Sequence, residues 1–244
     1  MTETSDQVSG GPKNATHVKC VLQIRGRNVE LTTRNQRVTQ CQKPTGLIGR
    51  FVLWRMNASH SKVTDWGLRH ITIAPDATIL DVGCGGGRTV DKLAAVATTG
   101  KVYGVDFSHE SVRVSRKVNA QRIEMGRVDI AHASVSALPF PGEMFDVVTA
   151  VETHFWWADL PAAFREIARV LKPYGQFAII AEVYKGANTL TAWLTEQNAE
   201  RAGMTLLGAD EHRELLGSVG FEDVQIDAVR SKGWICATAR KPTN

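Results

Sequence analysis

From Thr78 onward the chain alternates short β-branched runs with longer amphipathic stretches, and that rhythm points to a parallel sheet layered with helices. Strands are expected at 78–82, 101–105, 128–133, 145–151 and 176–181. Helices are expected between them at 88–97, 110–121 and 160–171, the last stopped by Lys172, Pro173, Tyr174 and Gly175. A helical insertion near 189–202 precedes a helix at 211–219 and strands at 221–229 and 233–240. Residues 230–233 are few enough for a hairpin, so the last two strands are expected to be antiparallel neighbours.

The residues ahead of this alternation have a different character. Residues 1–17 are polar and rich in Gly, Ser, Thr and Asn, which predicts disorder. Residues 18–31 alternate enough for a hairpin turning at 25–28. From Gly46 the apolar positions Leu47, Ile48, Phe51, Val52, Trp54 and Met56, then Val63, Trp66, Leu68 and Ile71, recur at helical spacing. Two domains of behaviour are therefore expected: a basic, flexible arm at 1–43 and a folded body at 44–244 whose first part, 46–73, is a helical pair.

Charge supports that division. The net charge of +4 resides in residues 1–43, where seven Lys and Arg face three acids; residues 44–244 carry 22 charges of each sign. A neutral body argues against nucleic acid as its partner, although the arm could touch phosphate. Cys20, Cys41, Cys84 and Cys236 are scattered without metal-ligand spacing, so no metal site is expected. No apolar run approaches the roughly 18 residues of a membrane span, and the start lacks a signal-type apolar core; the expectation is a cytoplasmic protein.

The chemistry concentrates at Ile79, Leu80, Asp81, Val82, Gly83, Cys84, Gly85, Gly86, Gly87 and Arg88, a buried strand running into a glycine loop that opens a helix. Glycines there let backbone N–H groups approach a ligand closely, and the helix start favours anionic groups. A dinucleotide fingerprint needs glycine at position 88, where Arg stands. The glycines fall instead as G-x-G-x-G at 83, 85 and 87. A nucleotide-like ligand other than NAD is implied.

This stretch resembles motif I of the class I S-adenosylmethionine-dependent methyltransferases. The run from Val102 to Ser108, ending a strand on Asp106, resembles that family's second strand. Leu138, Pro139 and Phe140 followed by Phe145, Asp146, Val147 and Val148 resemble its next block, and the helix from Phe164 to Pro173 resembles the one preceding its fifth strand. The similarity covers 46–244 and is nearest to the small-molecule group containing quinone and sterol carbon methyltransferases. It implies a doubly wound, Rossmann-like α/β fold with a seven-stranded sheet of order 3-2-1-4-5-7-6, the last strand in the chain antiparallel. Helices would cover both faces, and 46–73 would form an N-terminal lid.

The same resemblance implies S-adenosyl-L-methionine as cofactor, S-adenosyl-L-homocysteine as product, and a cofactor site of Asp81, Gly83, Cys84, Gly85, Asp106, Phe107, Ser134, Val135 and Val151. Many relatives carry Asp where Ser134 stands; a hydroxyl can accept the same hydrogen bond from an adenine amino group. An acceptor pocket beyond the strand ends would draw on Glu152, Thr153, His154, Phe155, Trp156 and Trp157, on Glu182 and Tyr184, and on Asn57, His60 and Trp66. His154 and His60 are the candidate bases and Glu152 a candidate orienting group. No Pro-Pro-aromatic motif of the amino-methylating enzymes follows the fourth strand, which favours a small-molecule acceptor. The alternatives are an RNA or protein methyltransferase using the basic arm, or a catalytically silent binder of the same cofactor. Acceptor identity and oligomeric state are open at this level.

Overall fold

A computed structural model describes residues 20–24, 27–31 and 61–243. The chain divides into two compact units, 1–38 and 39–244. In the first, β1 (Cys20–Ile24) and β2 (Arg27–Leu31) form an antiparallel hairpin with Ile24 opposite Arg27. Arg27 and Asn28, expected in the turn, thus belong to the second strand. The first expected helix of the pair, with Asn57 and His60, lies outside the described residues.

The second unit carries a seven-stranded sheet built from β3 (Thr78–Val82), β4 (Lys101–Asp106), β5 (Val128–His132), β6 (Phe145–Val151), β7 (Leu171–Ala181), β8 (Glu222–Val229) and β9 (Trp234–Arg240). Their spatial order is β5-β4-β3-β6-β7-β9-β8, which is 3-2-1-4-5-7-6 when only this sheet is counted. The β3–β7 ladders are parallel, and β9 runs antiparallel to both β7 and β8. Parallel strands buried on both faces need apolar residues at nearly every position, and Ile79, Leu80 and Val82 of β3 are all buried.

Among the described residues the α-helices are α1 (Ser61–Gly67), α2 (Arg88–Val96), α3 (His109–Val118), α4 (Ala120–Glu124), α5 (Leu160–Val170), α6 (Leu190–Glu196) and α7 (Ala209–Ser218). Side chains of one strand alternate between the sheet's two faces and feed two cores. Phe177 and Ile179 of β7 join Leu160, Phe164 and Ile167 of α5, whereas Ala178 joins Val90 and Leu93 of α2 with Val112 of α3. Phe145 breaks the parity by packing with Val148 and Ala150; the ladder is irregular beside it, an advance of two residues in β6, from Phe145 to Val147, facing one of five in β7, from Leu171 to Gln176.

Most element ends fall within two residues of the sequence expectation, and two larger differences each have a local reason. Residues 110–121 are not one helix: Asn119 separates α3 from α4, and its buried Nδ2 donates to Gly87 O of the glycine loop at 3.0 Å. Leu171 starts a strand rather than ending a helix, because it pairs with Phe145 ahead of the irregularity; Tyr174, at φ 60°, lies in the bulged stretch that follows. Among the described residues no helix is long and apolar enough to cross a membrane.

Candidate functional site

The loop after β3 is fixed before any ligand is considered. The N–H groups of Gly83 and Cys84 both donate to Val105 O, at 2.8 and 2.9 Å, which fastens the loop to the end of β4. Gly83 (φ 74°) and Gly87 (φ 80°) occupy the left-handed region. Space excludes side chains as well: a Cβ on Gly83 would lie 2.1 Å from Thr153 Oγ1, and one on Gly87 would lie 2.3 Å from Ser115 Oγ. The loop is therefore clamped between the segment after β6 and helix α3.

Asp106 ends β4 beside this loop. Its Oδ2 accepts from Gly85 N at 2.9 Å and its Oδ1 from Ser108 N at 2.8 Å, while Ser108 caps α3. Burial pushes its carboxyl above the usual range, and the hydrogen bonds from Ser108 and Gly85 oppose that shift. A cavity of about 290 Å³ opens at the carboxyl ends of β3 to β6, where open α/β sheets bind ligands. Gly83, Cys84, Gly85, Asp106, Phe107, Ser134, Val135, Val151, Glu152, Thr153, Trp156 and Trp157 all border it.

Residues 80–179, from β3 to β7, match the family described as "Methyltransferase domain". That stretch carries a methyltransferase domain, set on a sheet of the order that the class I resemblance implies. The chain is 30% identical over 165 residues to an O-methyltransferase of Pyrenophora dematioidea, covering 67% of this chain and 61% of that protein. It is 30% identical over 128 residues to 2-phytyl-1,4-naphtoquinone methyltransferase of Trichormus variabilis, covering 52% and 56%. The chain thus spans little more than half the length of these relatives. In structure it resembles human N-acetylserotonin methyltransferase, solved in complex with SAM, at a TM-score of 0.66 and 18% identity; the match covers 79% of this chain and 55% of the human chain.

Several residues named from the sequence stand elsewhere. Asp81 is 1% exposed and does not border the cavity; it faces β6 and accepts from Thr149 Oγ1 at 2.7 Å. Burial raises its carboxyl to about 7, opposed by the Thr149 hydrogen bond and reinforced by Asp106. Phe155 and Tyr184 pack together with Ile235, Trp66 packs against Trp234, and neither Tyr184, Trp66 nor Glu182 reaches the cavity.

His154, the described candidate base, is also withdrawn from the cavity and 2% exposed. Its protonation follows from its neighbour. His212 Nδ1 lies 2.8 Å from Gly208 O, which can only accept, so Nδ1 carries the proton and Nε2 is bare. His154 Nε2, 3.1 Å from His212 Nε2, must then be the donor, leaving its own Nδ1 bare and without a partner among the described residues. Burial, with a contribution from His212, holds His154 well below the usual imidazole range. A group so placed cannot take a proton from a cavity ligand.

Glu152 does border the cavity, at φ 56°. Its N–H donates to Ile180 O at 2.9 Å and its carboxylate accepts from Glu182 N, so it braces the ends of β6 and β7. The structure adds residues that the sequence did not assign to the site: Ser61 and Thr64 of α1, Ser111, Ser136, and the basic Arg88 and Lys92 of α2. The spacing of Arg88 and Lys92 was a usable signal, since residues four apart share a helix face.

Proposed function

We propose that this chain transfers the methyl group of S-adenosylmethionine to a small-molecule acceptor by in-line displacement. The observation that carries this reading is the convergence of the clamped glycine loop and the Asp106 carboxylate on one cavity of about 290 Å³, near the lower end of the usual range for small-ligand sites. The donor set fits an adenosyl amino acid. Asp106 offers carboxylate lone pairs for ribose hydroxyls, Phe107 (42% exposed) an aromatic face for adenine, and Ser134 a hydroxyl for the base edge. Gly83, Cys84 and Gly85, with Val135 and Val151, would bring backbone and apolar surface to the remainder.

When bound, the cofactor supplies an activated methyl group on a sulfonium, a leaving group that needs no acid. The chain's own work is then alignment and exclusion of water, and holding two reactants in attack geometry can remove about 7–11 kcal/mol of barrier. Trp156 and Trp157 line the cavity with apolar surface suited to that task, and Glu152 is the described carboxylate placed to orient an acceptor or receive its proton. A quinone or phenol-like acceptor is consistent with this wall and with the names of the relatives above.

Calorimetry tests the cofactor assignment: micromolar binding of S-adenosylhomocysteine and none of NAD is expected. Binding that persists unchanged in Asp106→Ala would overturn the site.

A further inference from the structure

Four charged side chains border the cavity among the described residues, and three are already engaged. Asp106 accepts from Gly85 and Ser108, and Glu152 accepts from Glu182 N. Lys92 Nζ donates to Ser61 O at 3.1 Å and to Ser61 Oγ at 2.9 Å, and pairs with Asp65, so its charge is spent on holding α1. Arg88 is exposed and has no partner among the described residues.

We propose that Arg88 recognises the α-carboxylate of the cofactor's methionine half, an inference that rests on the cofactor reading above. An adenosyl methionine brings two positive centres and one negative one. With Lys92 committed to α1, Arg88 is the unspent cation that the cavity offers to the negative one. A guanidinium suits the task because its planar fork matches both oxygens of a carboxylate. Its base is rigid: Arg88 is the first residue of α2, directly after Gly87, whose carbonyl is held by Asn119 Nδ2 and whose Cα abuts Ser115. The adenosine half has its own partners at Asp106, Phe107 and Ser134, so the two halves of the ligand would be recognised by separate groups.

The test compares S-adenosylhomocysteine with 5′-methylthioadenosine, which lacks the amino-acid half, by calorimetry on the full chain. Arg88→Met is expected to weaken S-adenosylhomocysteine by about 10- to 100-fold, as loss of a charge-assisted pair does, while methylthioadenosine stays within about twofold. Arg88→Lys should recover part of the loss, and an unchanged melting temperature checks that each variant is folded. Equal weakening of both ligands would reduce Arg88 to a structural role. No weakening of either would assign its charge to something other than the cofactor. If the unsubstituted chain binds neither ligand, the cofactor reading falls and takes this assignment with it.

Discussion

Gly83 shows how much one residue can decide. Its φ of 74° and the 2.1 Å approach of a hypothetical Cβ to Thr153 Oγ1 forbid a side chain twice over. Gly83→Ala is expected to lower S-adenosylhomocysteine affinity at least tenfold by calorimetry. Adding Thr153→Ala should restore part of it, since that removes the collision and leaves the backbone strain of about 1–3 kcal/mol. Equal affinity in Gly83→Ala and the unsubstituted chain would mean that this loop does not seat the ligand. The glycine spacing was legible because conformational demand acts on residue type directly. The position of Asp81 was not: in a strand buried on both faces nothing local says which face an acid meets, and its partner Thr149 lies 68 residues away across the ladder. His154 misled for a related reason, since its burial depends on His212, 58 residues on.

Among the elements, strands β3 and β6 could be placed to the residue from their β-branched runs, whereas the ends that failed were those set by tertiary contacts. The break at Asn119 exists to reach Gly87, and the start of β7 at Leu171 exists to meet Phe145. Helix α1 shows what such a contact is worth. With seven residues it is too short to hold itself together in water, and Lys92 ties its first turn to α2. Lys92→Met should speed amide hydrogen exchange in 61–67 while shifting the melting temperature by less than about 2 °C, because a partly exposed ion pair contributes under about 1 kcal/mol to the whole. Exchange rates in 61–67 equal to those of the unsubstituted chain would show that packing alone, such as Gly67 against Ile180, holds the helix.

For the whole molecule, two buried features pull stability in opposite directions with pH. His154 and His212 are both held below their ordinary 6.5, so as pH falls through that value the unfolded chain binds protons that the folded one refuses, and stability drops. Asp81, raised from 3.8 to about 7, keeps its proton in the folded state where the unfolded chain has lost it, so its contribution weakens folding as pH rises from about 4 to 7. Urea denaturation should therefore show Asp81→Asn stabilising by roughly 1–4 kcal/mol at pH 8 and by little at pH 4. His212→Gln should flatten the loss between pH 6.5 and 5. Parallel pH profiles for the unsubstituted chain and both variants would refute this account.

The placing of β9 between β7 and β8 sets an order on how a growing chain can assemble. Among the described residues β8 pairs only with β9, yet it is made first. While a ribosome has produced residues 222–229 and no more, α7 and β8 have no strand to join, and the edge of β7 stays open beside them. Emergence of 234–240 closes both gaps together, inserting one strand antiparallel to each neighbour. Until then the nascent sheet exposes the kind of unpaired edge that chaperones and neighbouring chains recognise.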